Sequence, residues 1–338
     1  MVRICLRFAV LAGLLLGFAG LAAAQECSTG SDIEPATKNA IEQAAQQYAQ
    51  YAIQGNTSAL QQNAVGSLAT SISPVQTALA NFKPELTGAR ASTRAIYLLT
   101  FNGQGRPEFY CGIFNSPDRT GMLINGLTAG TWAVVIVDVS GGKAPITIGQ
   151  ILQQQGTNWK IAGFMLRNTQ IGGRNSDWFL QKARDFKSRG QNRNAWFYYS
   201  VAWDLAAPLP FIGTVSLDKI AQEMQSIRPT DLPTQQNPMS LTAGGKTFQV
   251  TSVDTVPVGD TLDLRVRYKA QAANSDTGQL YQDNNAVMKA LVDKFPEFRD
   301  GFPAVIARAL DPSGVGDYGS VAEMSKLAST ASSATPHP

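Results

Sequence analysis

Histidine is almost missing from this 338-residue chain: the one present is His337, next to last in the stretch ASTASSATPHP. Catalytic triads and dyads that use histidine as base are thereby excluded, and so are zinc sites with histidine ligands. Charge is sparse, at 16% of residues with a formal net charge of +3, which gives no general attraction to nucleic acid. Cysteine numbers three. Long apolar runs are confined to the N-terminus, and no later segment reaches the ~20 apolar residues that a spanning helix needs.

That first run, FAVLAGLLLGFAGLA, follows Arg3 and Arg7 and ends at Ala22, Ala23 and Ala24. Basic residues, an apolar core and small residues in this order read as a secretory signal peptide over residues 1–24, cleaved before Gln25. Cys27 lies close behind, but a lipid-bearing cysteine directly follows small residues, and Glu26 precedes this one. Loss of Arg3 and Arg7 with the leader lowers the net charge from +3 to +1. Cys5 leaves too, so Cys27 and Cys111 remain as an even pair, expected to bond in an oxidising compartment.

Along the remaining chain, Ile41, Ala45, Tyr48 and Ala52 recur at helical spacing and stop at Gly55. Asn56, Thr57 and Ser58 can cap a second helix, and a third runs from Pro74 to about Phe82. The pattern then changes to β-branched and aromatic runs, RAIYLLTF, EFYCGIF, TWAVVIVDV, PITIGQILQQ and NWKIAGFML, separated by glycine turns. Helices followed by an antiparallel meander make an α+β unit, expected over residues 34–170.

This element order, with its last strand QGTNWKIAGFML, resembles the cone-shaped fold of the nuclear transport factor 2 and cystatin-like superfamilies. The resemblance implies a curved sheet wrapped around a long helix, often with an apolar pocket that in enzymatic members holds an Asp, His or Tyr. Asp138 on TWAVVIVDV is the carboxylate to inspect, against the plainer reading of a strand-end residue facing water.

From Lys182 the chain reads KARDFKSRGQNRNAWFYYSVAWDLA. Ala183, Phe186, Gly190, Ala195, Tyr199 and Ala202, with Phe179 before them and Pro208 after, resemble one tetratricopeptide repeat over residues 178–208. Gly190 would end the first helix, and Asn192 or Asn194 would cap the second. A lone hairpin has no stacked neighbour, so Trp196, Tyr199 and Trp203 are expected to bury against another part of the chain. Arg174, Lys182, Arg184, Lys187, Arg189 and Arg193 would form a solvated basic rim, and Trp178, Arg184, Arg189 and Arg193 are the candidate interaction surface.

A further helix begins near Ser216, completing a helical unit over residues 174–228. The Pro-rich stretch RPTDLPTQQNP reads as a linker, residues 229–240. A second small α+β unit follows over residues 241–328, with strands TFQVTSV and TLDLRVRYKA and helices expected around Asn285–Lys294, Ala304–Leu310 and Ser320–Leu327. Residues 329–338 read as a disordered tail. Gly245-Lys246-Thr247 lacks the first glycine of a phosphate loop and is a hairpin turn, and Ser216-x-x-Lys219 lacks the companion motifs of penicillin-recognising enzymes, leaving Ser216 as a helix cap.

The expected whole is an exported α+β protein of the cell envelope that binds a small apolar ligand or another envelope protein. No catalytic residue, metal ligand, cofactor site or nucleic-acid partner is assigned. The alternative is a cone-fold enzyme that uses a carboxylate or tyrosine in its pocket without histidine.

Overall fold

The computed structural model describes residues 25–113, 116–117, 119–271, 276–313 and 316–327; the expected leader and the expected tail lie outside them. The fold is α+β. Its first part comprises β1 (Glu26–Thr29), α1 (Pro35–Ile53), α2 (Thr57–Gln62), α3 (Gly66–Thr70), α4 (Ser73–Asn81), α5 (Lys83–Leu86), β2 (Arg90–Phe101), β3 (Glu108–Cys111), β4 (Thr120–Leu123), β5 (Gly130–Ser140), β6 (Ile146–Gln155) and β7 (Asn158–Asn168). Five of these strands form one antiparallel sheet in the order β1-β2-β5-β6-β7. Bulges between Thr93 and Ala95 and between Ile151 and Leu152 interrupt its ladders, as expected of bent strands.

Helix α1 starts where Glu34 accepts backbone N–H bonds from Ala36 (2.9 Å) and Thr37 (2.8 Å), with Pro35 in the first turn. It ends before Gly55, whose φ of +67° suits the left-handed turn that stops a helix. Between these points Ile41, Ala45, Tyr48, Ala49 and Ala52 are buried against one face of the sheet, with Ala133, Val135 and Val137 of β5 and Ile146 and Ile148 of β6. The alternate residues of β5, Trp132, Val134 and Ile136, point into a second core on the other face. Burial on both faces explains why TWAVVIVDV is almost continuously apolar.

That second core is covered by a small sheet in which β4 lies between β3 and a strand from much later in the chain, Ile212–Thr214. The second part of the molecule contains β8 (Gln170–Ile171), β9 (Arg174–Asn175), α6 (Ser176–Ser188), α7 (Asn192–Ala206), β10 (Ile212–Thr214), α8 (Val215–Gln225), β11 (Met239–Ala243), β12 (Lys246–Val258), β13 (Thr261–Lys269), α9 (Thr277–Lys294), α10 (Phe298–Gly301), β14 (Ala304–Leu310) and β15 (Asp317–Glu323). Leu209 and Ile212, on the segment after α7, are buried in the core of the first part. The expected boundary at residue 170 is therefore crossed: the chain returns to the first sheet before continuing.

The second large sheet has the order β11-β12-β13-β14-β15, antiparallel except for β13 and β14, which run parallel because α9 crosses over between them. One expected helix is a strand here and a second is half strand. Ala304–Leu310 is β14, and Ser320–Leu327 divides equally between the end of β15 (residues 320–323) and a 3-10 turn over Met324–Leu327. The expected hairpin is α6 and α7, joined through Gly190 at φ +73°. Neither Asn192 nor Asn194 caps α7; Asn194 is buried and donates to the Glu297 carbonyl, while α8 is capped by Thr214 rather than Ser216.

The hairpin and the second sheet share one core. Phe197 packs against Phe298 and Phe302 at ring distances of 6.1 and 6.0 Å, and Tyr198 donates its hydroxyl to the Gly301 carbonyl at 2.7 Å. The segment expected as a linker is tied to the same body: Asp231 pairs with Arg193, and Pro233 is buried.

Candidate ligand-binding cleft

On the face of the first sheet where the resemblance implies a pocket, α1 packs directly on β5 and β6, and a concavity of about 390 Å³ remains beside it between α1 (Lys38, Glu42) and β2 (residues 93–97). The buried polar side chain there is Gln150, which donates to the Ala45 carbonyl at 2.9 Å. Tyr48 donates its hydroxyl to the Trp159 carbonyl at 2.7 Å, and burial, with Tyr51 close by, pushes its pKa up to about 12. A phenol so held stays neutral and is a poor base. Asp138 is 45% exposed and lies 3.4 Å from Arg94 on the outer side of the sheet. It is a surface ion pair, outside the face occupied by α1.

The expected basic surface is largely spent within the molecule. Arg184 donates to both oxygens of Glu223, at 2.9 and 2.6 Å, and the Tyr199 hydroxyl adds a third bond at 2.8 Å. The Arg184 bonds hold the Glu223 carboxyl below its ordinary range, and burial with the Glu223 bond pushes Tyr199 up to about 12. Arg193 is shared between Asp231 and Glu297. Trp178 is covered on one side by Arg174, 4.2 Å from its ring centre, and Arg189 lies 4.7 Å over Phe186. Of the four candidate surface residues, two are thus internal clamps joining α6 and α7 to α8, the 229–238 strap and the start of α10. The reason is geometric: a hairpin packed within a larger body places its cations beside carboxylates that are distant in sequence.

What sequence reading did not locate is a cleft of about 400 Å³ between the two parts. One wall is Phe82 and the end of β7 (Leu166, Arg167, Asn168); the other is the last turn of α7 (Val201, Asp204, Leu205), with Ile171 and the β12–β13 turn region (Thr255, Pro257, Leu262). The lining is mixed: seven of its eleven residues are apolar, but Arg167, Asn168, Asp204 and Thr255 contribute, and polar and apolar atoms present about equal surface to the cleft. Val201, Ile171 and Leu262 are buried at its base. The volume lies in the range of small-molecule sites, and a junction of structural units is one of the places where they occur.

Arg167 dominates its chemistry. The side chain is 23% exposed, donates from Nη2 to the Asp204 carbonyl at 2.7 Å, and lies 3.9 Å from the Asp204 carboxylate, itself 68% exposed. The carbonyl belongs to the final turn of α7, where unpaired carbonyls favour a cation. Arg167 Nε is buried and has no acceptor. The sequence signal available was a lone Arg–Asn pair closing the strand NWKIAGFML, which carries no indication that α7 will arrive beside it.

Among the described residues no group of three or more His, Cys, Asp or Glu side chains is placed to hold a metal ion, and no helix is long and apolar enough to cross a membrane. Comparison with protein-family models, with curated proteins and with solved structures gives no match to this chain.

Proposed function

We propose that the chain is an exported, non-enzymatic binding module of the cell envelope that holds a small, largely apolar ligand in the cleft between its two parts. The cleft carries the reading: apolar side chains from β7, α7 and β13 line one concavity of small-molecule size beside four polar residues, Arg167, Asn168, Asp204 and Thr255. Export is supported by the leader-like N-terminus and by Cys27 and Cys111, which are bonded to each other, as suits an oxidising compartment. The enzyme alternative is disfavoured because the interior face of the first sheet presents a neutral tyrosine and a buried glutamine where a carboxylate or an ionisable tyrosine would be required.

The test is native mass spectrometry of the protein isolated from its own envelope fraction, beside a Leu205→Trp variant that fills the cleft from the α7 side. A small molecule bound to the first and missing from the folded second is the expected result. Equal occupancy of both would place the ligand elsewhere, and its absence from both would overturn the reading.

A further inference from the structure

We propose that the ligand of this cleft is an amphiphile with a compact anionic head group, and that Arg167 receives the head. The inference rests on the cleft being a small-molecule site and adds the chemistry of the ligand's polar end. Arg167 is the one cation among the residues that line it. A guanidinium remains charged at any physiological pH and carries five N–H donors in a planar fork. Here one donor is given to a neutral carbonyl, that of Asp204, at 2.7 Å. The nearest carboxylate, on Asp204 itself, stands 3.9 Å away, beyond hydrogen-bonding distance, and is turned largely to solvent.

Nε is left buried without an acceptor. That atom has almost no accessible surface, so a head group entering the cleft would meet the part of the Arg167 side chain that remains exposed and not Nε itself. Carboxylate and phosphate oxygens are the acceptors that match a guanidinium edge, with two parallel bonds where geometry allows. The apolar body of such a ligand would lie along Phe82, Leu166, Val201 and Leu205, which flank Arg167 on both walls. Asp204 opposes an incoming anion, so it sets a ceiling on affinity rather than providing a site.

Calorimetric titration of the protein from Gln25 onward with decanoate, decyl phosphate and decanol tests this. At least one of the two anions should bind tenfold or more tightly than decanol, and which one does separates a carboxylate from a phosphate head. Arg167→Gln should reduce the anion to the level of decanol, Arg167→Lys should recover part of the loss, and Asp204→Asn should tighten anion binding severalfold. Decanol binding as tightly as both anions, with Leu205→Trp blocking all three, would overturn the head-group inference and leave the apolar cleft standing. Failure of all three to bind, or binding that survives Leu205→Trp, would overturn the cleft as well. If Arg167→Gln does not fold, Asp204→Asn decides: unchanged anion affinity would reject the role of Arg167.

Discussion

Leu209 occupies the space where a side chain on Gly149 would begin: an ideal Cβ at Gly149 would lie 2.0 Å from Leu209 Cδ2. The segment leaving α7 is thus pressed onto the middle of β6, and Leu209 is completely buried there. Through this contact and the pairing of β10 with β4, the second part of the chain completes a core of the first.

Gly149→Ala should therefore destabilise the protein by about 1–3 kcal/mol through overpacking. Leu209→Ala should cost about 2–5 kcal/mol by leaving a cavity. The two sites touch, so the double variant should lose less than the sum, the added methyl entering the vacated space. Urea unfolding of all three variants checks this, and strict additivity would count against the contact.

The Cys27–Cys111 bond joins β1 to β3 with Cα atoms 5.1 Å apart and a sequence separation of 84. In the chain-entropy model a loop of this length corresponds to about 4–5 kcal/mol, an upper value for the stability lost on reduction. Unfolding midpoints with and without reductant should differ for the wild type and coincide for Cys27→Ser/Cys111→Ser. Two reactive thiols in the unreduced protein would contradict the pairing.

Glu223 predicts the acid response of the helical hairpin. Its pKa is lowered by the Arg184 bonds first and by the Tyr199 bond after them, against the opposing effect of burial. A carboxyl whose folded pKa is depressed contributes stability fully above its unfolded pKa and loses it as pH falls through the folded value. The wild type should accordingly lose stability on acidification below the ordinary glutamate range. Glu223→Gln should flatten that slope while costing about 1 kcal/mol at neutral pH, a figure reduced for the half-exposed Arg184. Melting curves across the acid range of both proteins provide the check.

Much of this fold can be read in the sequence, and the failures have definite physical origins. The stop at Gly55, the cap at Asn56 and the Gly244-Gly245 hairpin turn rest on local backbone chemistry that neighbours in space do not alter. Ala304–Leu310 reads as a helix because AVIARAL is rich in helix formers, yet Val305, Ala307 and Ala309 lie at alternate, fully buried strand positions. Ala307 and Ala309 are fully buried beneath α9, where small side chains let the crossover helix lie close to a central parallel strand. Tertiary packing decides there against intrinsic propensity. The cleft was illegible for a related reason: Arg167 and Asp204 belong to elements whose proximity is set by how two cores join, which no local pattern records.

The same reasoning distinguishes residues on α7. Spacing alone places Trp196, Tyr199 and Trp203 together on the buried face, but only Tyr199 of the three is fully enclosed. The enclosed arc is broad and includes Ala195, Phe197, Tyr198, Val201 and Ala202, with Trp196 and Trp203 at its margins, partly buried against the same core. Phe197 sits between Phe298 and Phe302, so Phe197→Ala removes a ring from inside the aromatic cluster and should cost about 3–5 kcal/mol. Trp203→Ala exposes a surface already partly wet and should cost about half as much, because the lost area was only partly withdrawn from water. Denaturant midpoints of the two variants, measured with unchanged unfolding slopes, decide the order. A Trp203→Ala loss equal to or greater than that of Phe197→Ala would mean that the margin of α7 is core, and that the hairpin packs against the second sheet more deeply than its exposed edge indicates.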